Sequence, residues 1–343
     1  MYDRLDDQYR ARDEDAKRFA AMPRVVKFDT VPWTQGVQAY HKQFMGGPYE
    51  ERNVPIRSFR VLEQIITPGG KSAKHRHYFE AMFYILEGDG YEVHDGQRFD
   101  WNQGDIVCVP TYAIHQHFNA SNTTGARVFY VIPDVFNFMG LIGGEQHTVH
   151  DNYRAPEGAV APRVGVESMG DFNVSMQDVM YKRRELKEKV APQAQTIYDR
   201  YLNAVAEENE WRAVAPRVVK PASLPWENTR QGKIKWLAHP DINISLKTIE
   251  AFIQEIPPGG RSGMHRHVGE ELLLILEGSG STNIDGKTWE FEKEDMVCIP
   301  VNSIHQQINA SRSGRLLFLS ISSRLYPFVG HAGIEQFEDA PAS

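Results

Sequence analysis

Residues 74–88 read KHRHYFEAMFYILEG, and residues 264–278 read MHRHVGEELLLILEG. Each stretch contains two histidines separated by one residue, followed by an apolar run that ends in Leu-Glu-Gly. The offset between the copies is 190 positions (265 minus 75), and it is kept outside the two stretches. Other matches at this offset are Gln64 with Gln254, Gly69 with Gly259, Pro110 with Pro300, and Asn119 with Asn309. A constant long offset indicates a tandem duplication.

The length and composition predict two domains of ordinary size. The chain has 343 residues, of which 41% are hydrophobic and 24% charged, so each half can bury its own core. The net charge of −7 is spread rather than gathered in basic clusters, and we expect no nucleic-acid partner. No apolar run approaches the roughly 20 residues needed to cross a bilayer, and the charged N-terminus does not resemble a secretory signal. We therefore expect a cytoplasmic protein without membrane contact.

The two cysteines, Cys108 and Cys298, also match at the offset of 190. Matched positions in separate domains are usually too far apart for a disulfide, and a reducing cytosol disfavours one. We expect both side chains to lie in the cores.

Both halves have the pattern of an all-β fold. Short apolar or alternating stretches are separated by turn signals such as PGG, EGDG and HDG in the first half and PPGG, EGSG and IDG in the second, which is typical of a sandwich or barrel. We predict a small β-barrel over residues 23–150 and another over 214–343. Residues 151–213 are predicted to form a largely helical connector, interrupted near Pro192. A peripheral helix is predicted within the N-terminal segment 1–22.

The histidine spacing predicts a metal site in each half. His75 and His77 point to the same face of a strand, because alternate side chains do so, and His115 can join them from a neighbouring strand. Three neutral imidazoles directed at one point bind a divalent transition metal, and imidazole suits iron, zinc, copper and nickel. One histidine on a strand is more often a surface or core residue, but three at fixed spacing in both halves indicate ligation. The matching residues of the second half are His265, His267 and His305.

These residues carry the two motifs of the cupin superfamily. The motifs G-x5-H-x-H-x3-E-x6-G and G-x5-P-x-G-x2-H-x3-N can be traced through both halves, so the chain resembles a bicupin. The resemblance covers nearly all of both barrels and implies two tandem double-stranded β-helix, or jelly-roll, barrels. It leaves the reaction open, since the superfamily includes decarboxylases, isomerases, dioxygenases and binding proteins.

The two copies differ at the glutamate of the first motif. Glu271 occupies this position in the second half, but Ala81 occupies it in the first. Glu80 would face the opposite side of a regular strand, unless a β-bulge reverses it. We therefore expect three histidines at the first site and three histidines with Glu271 at the second. The glycine of the second motif is replaced by Tyr112 and Asn302, which concerns turn geometry rather than ligation.

The first half is similar to the gentisate and salicylate 1,2-dioxygenase group of bicupins, in which an H-R-H segment is likewise followed by alanine. This resemblance implies an Fe(II) enzyme that opens a hydroxylated aromatic ring with O2, so the expected partners are a small aromatic substrate and O2. It also implies that Gln64 and His117 contact the oxygen atoms of the substrate or the bound oxygen species. The alternative is that His117 is a supporting or surface residue. Manganese, nickel, copper and zinc are also compatible with such ligands.

Phe83 departs from that group, which commonly places an arginine eight residues after the first ligand histidine to hold a ring carboxylate. Without it, a buried carboxylate would lack its charged partner. The residues that could substitute for it are Arg57, Arg60 and Lys71. Phe83, with Tyr84 and Phe118 nearby, is instead expected to line a pocket for a phenol or catechol-like ring. The alternative role for these aromatic side chains is barrel core.

Two other functions stay open. The glutamate-bearing second site resembles quercetin dioxygenases and manganese oxalate decarboxylases. Leu273 makes its pocket apolar, and Arg266 should point outward, so oxalate is disfavoured. The third possibility is a metal-stabilised bicupin that binds a ligand without catalysis. A homo-oligomer is expected, since bicupins often assemble.

Overall fold

The computed structural model describes residues 5–36, 39–46, 53–111, 113–134, 145–147, 196–201, 203–204, 211, 215–239, 241–242, 246–326, 330 and 333–341. The expected N-terminal helix is present as α1 (Leu5–Ala21). Most of the expected connector, with Pro192, lies outside the described residues, as does Tyr112. In the described ranges, none of the helices combines the length and apolar character needed to cross a membrane.

The rest of the described chain is almost entirely strand. The strands of the first half and its flanks are β1 (Val25–Val26), β2 (Trp33–Gln35), β3 (Tyr40–Met45), β4 (Phe59–Ile66), β5 (His75–His77), β6 (Ala81–Glu87), β7 (Gly90–His94), β8 (Gln97–Trp101), β9 (Ile106–Val109), β10 (His115–Asn119), β11 (Ala126–Pro133) and β12 (Glu145–His147). Those that follow are β13 (Val218–Val219), β14 (Glu227–Thr229), β15 (Gly232–Ala238), β16 (Ile249–Ile256), β17 (Met264–His267), β18 (Glu271–Glu277), β19 (Ser279–Ile284), β20 (Lys287–Glu292), β21 (Met296–Ile299), β22 (His305–Ile308), β23 (Leu316–Ser323) and β24 (Ile334–Glu338). Short 3-10 turns occur at Phe28–Thr30 and Pro221–Ser223.

Each half is a jelly roll made of a seven-stranded and a five-stranded sheet. In the first half their orders are β13-β9-β6-β11-β4-β3-β2 and β12-β5-β10-β7-β8. In the second half they are β1-β21-β18-β23-β16-β15-β14 and β20-β19-β22-β17-β24. The inward side chains of the facing sheets form a core, as where Phe83 and Val128 share a cluster with Trp101. The all-β prediction is confirmed, although the sheets are separate layers rather than one closed barrel.

The two jelly rolls exchange short strands. Val25–Val26 pairs with β21 of the second jelly roll, and Val218–Val219 pairs with β9 of the first. The backbone carbonyls of Arg24 and Arg217 extend these contacts by accepting hydrogen bonds from the amides of Cys298 and Cys108. Each jelly roll is therefore completed by the segment that precedes the other. The predicted domain boundaries stay a prediction.

The outer faces of the two seven-stranded sheets pack against each other. Their shared apolar cluster combines Phe59, Met82 and Phe129 of the first jelly roll with Leu272 and Leu319 of the second. Both cysteines lie buried in the same cluster, as the sequence predicts. Burial of this kind is the main favourable contribution to folding, so the two halves stabilise one another.

A pair of buried carboxylates closes this interface. Glu80 accepts hydrogen bonds from the amides of Lys247 and Thr248, at 3.0 and 2.8 Å, and from the Thr248 hydroxyl at 2.6 Å. Glu270, its partner in the repeat, accepts bonds from the Arg57 and Ser58 amides and the Ser58 hydroxyl at 2.6–2.9 Å. Glu80 thus faces the other jelly roll, as regular strand alternation predicts, and is not available to the first metal site.

We predict that Glu80→Ala and Glu270→Ala each lower the free energy of unfolding by roughly 2–4 kcal/mol, because buried backbone amides lose a charged acceptor. Urea unfolding followed by circular dichroism measures the change. Glu290→Ala, at an exposed strand position, is the matched control and should stay within about 0.5 kcal/mol of the wild type. Wild-type stability in both interface variants would contradict this assignment.

Candidate metal centres and the first pocket

The first triad consists of His75, His77 and His115, brought together by adjacent antiparallel strands. His75 and His115 are directly paired across β5 and β10, and their ring centroids lie 4.1 Å apart. All three side chains are buried, and one nitrogen of each lies within 4.8 Å of the others. The predicted convergence of the three imidazoles is therefore present.

The ring orientation of the triad is set by backbone carbonyls. Nδ1 of His75, His77 and His115 lies 3.0, 2.6 and 2.9 Å from the carbonyl oxygens of Ala73, Phe79 and Ala113, respectively. An Nδ1–H that donates to a carbonyl leaves the Nε2 lone pair free for another partner. In His115, Nε2 is buried and finds no hydrogen-bond partner among the described residues. Burial and the neighbouring histidines hold the pKa of His115 well below its usual range, so His115 offers a neutral donor, and the three converging nitrogens fit a divalent cation.

The second site consists of His265, His267, Glu271 and His305. His265 and His305 are paired in the same way as their counterparts, and ligand atoms of all four residues lie within 4.8 Å of one another. Glu271 Oε2 is 3.2 Å from Nε2 of both His267 and His305, and the Ser320 hydroxyl donates to its other oxygen. Burial raises the pKa of Glu271, but the two histidines outweigh it and hold the pKa well below the usual range.

The first pocket, defined by Phe83, His117 and Tyr130, lies beside the first triad. The His117 ring is 5.8 Å from the His75 ring and 5.4 Å from the His115 ring. Phe83 meets His117 edge to face at 4.7 Å and lies 4.0 Å from the Tyr130 ring. The structure thus brings two of the predicted substrate residues, Phe83 and His117, next to the triad.

Gln64 lies on the inner face of β4, but it is two residues along the strand from Leu62, the residue that pairs with Tyr130 of the first pocket. It pairs with Val128, whereas Tyr130 pairs with Leu62 and Phe83. The two levels are therefore two residues, or about 7 Å, apart along the strands. Among the described contacts, Gln64 makes no hydrogen bond to the triad, and its role stays a prediction.

Tyr84 and Phe118 do not line the pocket, contrary to expectation. Side chains alternate along a strand, so the neighbours of Phe83 and His117 face the other way. Tyr84 packs in the cluster between the two jelly rolls, and Phe118 stacks on Tyr91 at 4.6 Å.

Arg57 and Lys71, two of the candidate substitutes for the missing arginine, have partners outside the first pocket, and Arg60 lies two residues along β4 from Leu62, which pairs with Tyr130. Arg57 forms a 2.9 Å ion pair with Asp15. The backbone of Lys71 forms an isolated antiparallel β-bridge with that of Phe118. Arg60 sits over Phe79 with its Cζ 5.6 Å from the ring centroid. In the part of the chain that the structure describes, Arg60 has no carboxylate partner.

Sequence reasoning missed a buried polar group behind His117. Glu92 Oε2 lies 2.5 Å from Nδ1 of His117, and Trp101 Nε1 donates to Glu92 Oε1 at 3.1 Å. Burial raises the pKa of Glu92 to about 7, outweighing His94 and Trp101, and lowers the pKa of His117 to about 3. The alternation of Gly-Tyr-Glu-Val-His in β7 would direct the apolar Tyr91 and Val93 inward, so this pattern carries no signal that Glu92 is buried.

Comparison with known proteins identifies the fold. The family model for the cupin domain matches residues 62–132 and 252–322. Gentisate 1,2 dioxygenase 1 of Aquipseudomonas alcaligenes is 24% identical over 240 residues, which are 69% of this chain and 62% of that protein. The chain therefore spans less than two thirds of the length of this relative.

Two solved structures show the same architecture. Salicylate 1,2-dioxygenase from Pseudaminobacter salicylatoxidans has a TM-score of 0.59 at 14% identity, with 92% of this chain and 88% of that chain covered. The S161A mutant of Bacillus subtilis oxalate decarboxylase has a TM-score of 0.59 at 14% identity, with 92% and 80% covered. Identities this low support the fold alone. The chain carries two cupin domains, one in each jelly roll, and is a bicupin with homology to the gentisate 1,2-dioxygenases.

Proposed function

We propose that the protein is an Fe(II)-dependent dioxygenase that opens a hydroxylated aromatic ring, with the reaction in the first jelly roll. The observation that carries this proposal is a triad of oriented, buried imidazoles that no carboxylate joins among the described residues. Three ligands on one face leave adjacent positions for one or two oxygens of a substrate and for O2. The homology to gentisate 1,2-dioxygenases supports the same reaction class.

In this proposal His75, His77 and His115 would hold the ion, which when bound supplies the redox chemistry that joins O2 to an electron-rich ring. Both atoms of O2 enter the product as one ring carbon–carbon bond breaks, so no external reductant is required. The chain's own contribution is to place the ring against the ion and keep water out. The nearly inaccessible side chains of Phe83 and Val109 supply that apolar surrounding.

The second site supports a different candidate function. Glu271 adds an anionic ligand that could leave the ion and accept a proton, as proposed for quercetinase-like or oxalate-decarboxylase-like chemistry. Its surroundings disfavour oxalate, because Leu273 is fully buried beside it and Arg266 points outward to Glu335 at 2.6 Å. A binding protein without catalysis is the remaining alternative.

We predict that His75→Ala lowers O2 uptake by about 100-fold or more, because even residues that only support a metal ligand typically contribute 10–100-fold. Glu271→Gln should retain most activity if the first jelly roll carries the reaction. An oxygen electrode with gentisate, salicylate and hydroquinone as substrates measures both variants. The reverse pattern would place the reaction at the second site, and no uptake with any phenol would favour a binding protein.

We also predict that each site holds its own ion. After loading with Fe(II) under nitrogen and gel filtration, His75→Ala and His265→Ala should each carry one fewer ion per chain than wild type, because each variant removes one imidazole of a separate set. Elemental analysis by mass spectrometry measures the content. Glu277→Gln, on an exposed strand end, is the control and should match the wild type. Unchanged iron in His75→Ala would contradict ligation by the first triad.

A further inference from the structure

The first jelly roll contains a buried polar cluster that its repeat lacks. Glu92, Trp101, His117 and Tyr130 are all buried in the first core. At the offset of 190, the second half has Thr282, Phe291, Gln307 and Ser320. The histidine ligands are shared by both halves, so this cluster is not needed for the fold or for ligation by histidine. The cluster therefore indicates a function that is specific to the first pocket.

Glu92 fixes the orientation of His117. Its two oxygens are bound separately, one by His117 Nδ1 and the other by Trp101 Nε1. The backbone of His117 is also fixed, because its amide donates to the Ser72 hydroxyl oxygen at 3.0 Å and its carbonyl accepts a hydrogen bond from the Ser72 amide at 3.0 Å. With Nδ1 directed at the carboxylate, Nε2 lies on the ring edge away from Glu92. No described residue bonds to Nε2.

Tyr130 supplies a second unsatisfied group to the same pocket. Its ring centroid is 5.6 Å from that of His117, and the side chain is 5% exposed, which places its hydroxyl in the interior. That hydroxyl has no hydrogen-bond partner among the described residues. Buried hydroxyls are nearly always paired in folded proteins, so an unpaired one beside a metal site indicates a ligand that completes it.

We propose that the first pocket binds a ring hydroxyl rather than a ring carboxylate, with His117 Nε2 accepting its hydrogen bond, Tyr130 donating to its oxygen, and Glu92 positioning His117. This inference rests on the proposed function and specifies its substrate class: a ring with one oxygen for the ion and a further, uncharged hydroxyl, such as a hydroquinone. A hydroxyl is both donor and acceptor, and therefore matches one acceptor and one donor at once.

A ring carboxylate does not match the groups that line the first pocket. It would bring a negative charge beside Glu92, with Phe83 where a cation would be needed, and an unpaired buried carboxylate is unfavourable. Arg60 lies at the level of Ile132, two residues along the strand from the level of Tyr130. A ring carboxylate held by Arg60 would therefore lie about 7 Å along the strands from the level of Tyr130. The two modes of binding predict different responses to substitution.

The test is anaerobic calorimetric titration of the full chain loaded with Fe(II), using hydroquinone and 4-hydroxybenzoate as matched probes. The wild type should bind hydroquinone more tightly than 4-hydroxybenzoate. Tyr130→Phe should weaken hydroquinone binding about 5–10-fold, the value of one hydrogen bond, and leave 4-hydroxybenzoate binding unchanged. Arg60→Gln should not affect hydroquinone. Thr282→Val, the control at the position matching Glu92 in the repeat, should bind hydroquinone as the wild type does.

A double-mutant cycle tests the role of Glu92. Glu92→Thr and His117→Gln introduce the residues of the second half, so their double variant has a precedent in this fold. If Glu92 acts through His117, the double variant should bind hydroquinone no more weakly than His117→Gln alone. Additive losses would assign Glu92 a purely structural role.

Three results would overturn the inference: no hydroquinone binding, unchanged affinity in Tyr130→Phe, or tighter 4-hydroxybenzoate binding that Arg60→Gln abolishes. The binding pattern is independent of turnover. If the protein consumes O2 with a phenol but does not show the predicted hydroquinone and 4-hydroxybenzoate affinities, only this inference is wrong. If the affinities are as predicted but no aromatic ring supports O2 uptake, only the proposed function is wrong.

Discussion

The candidate sites depend on one recurring interaction, a hydrogen bond from a ligand histidine to a backbone carbonyl two residues away. It occurs at His75, His77 and His115 in the first jelly roll and at His267 and His305 in the second. Each bond fixes the ring and its tautomer, so the other nitrogen points into the interior as a lone-pair donor. Because the acceptors belong to the strands and turns themselves, the orientation of the ligands follows from the fold of the backbone. A metal site of this kind is prepared before any ion arrives, which lowers the cost of binding.

The two halves also hold each other in place through contacts between their seven-stranded sheets. Exchanged strands, a shared apolar cluster and the reciprocal carboxylates Glu80 and Glu270 connect the seven-stranded sheets, while the histidine-bearing strands lie in the five-stranded sheets. The interface therefore occupies the outer faces and leaves the interiors free to diverge. Ala81 in one interior, against Glu271 in the other, gives the halves different ligand sets on the same scaffold. Duplication with a shared interface thus allows one site to change while the other keeps its carboxylate.

The sequence predicted the features that follow from periodicity and failed where partners come from distant strands. Alternation and repeat spacing placed all the candidate ligands, and alternation alone gave the outward direction of Glu80. Tyr84 and Phe118 were assigned to the pocket although the same alternation directs them outward once Phe83 and His117 point inward. Tyr130 was missed because it stands in an apolar strand, and Glu92 because its apolar neighbours Tyr91 and Val93 predict that it faces outward; only the antiparallel register brings both to His117. The strand exchange could not be predicted either, because a pair of valines, as in Val25–Val26 and Val218–Val219, does not indicate which sheet it joins.

The central claim is that His75, His77 and His115 hold a redox-active ion without a further protein ligand, so that coordination positions stay open. Anomalous X-ray diffraction from crystals loaded with Fe(II), recorded on both sides of the iron edge, tests it most directly. The account predicts a peak about 2.0–2.2 Å from Nε2 of His75, His77 and His115, the usual range for imidazole nitrogen, with no fourth protein ligand. The absence of iron at this position, or a carboxylate from the chain completing its coordination, would contradict it.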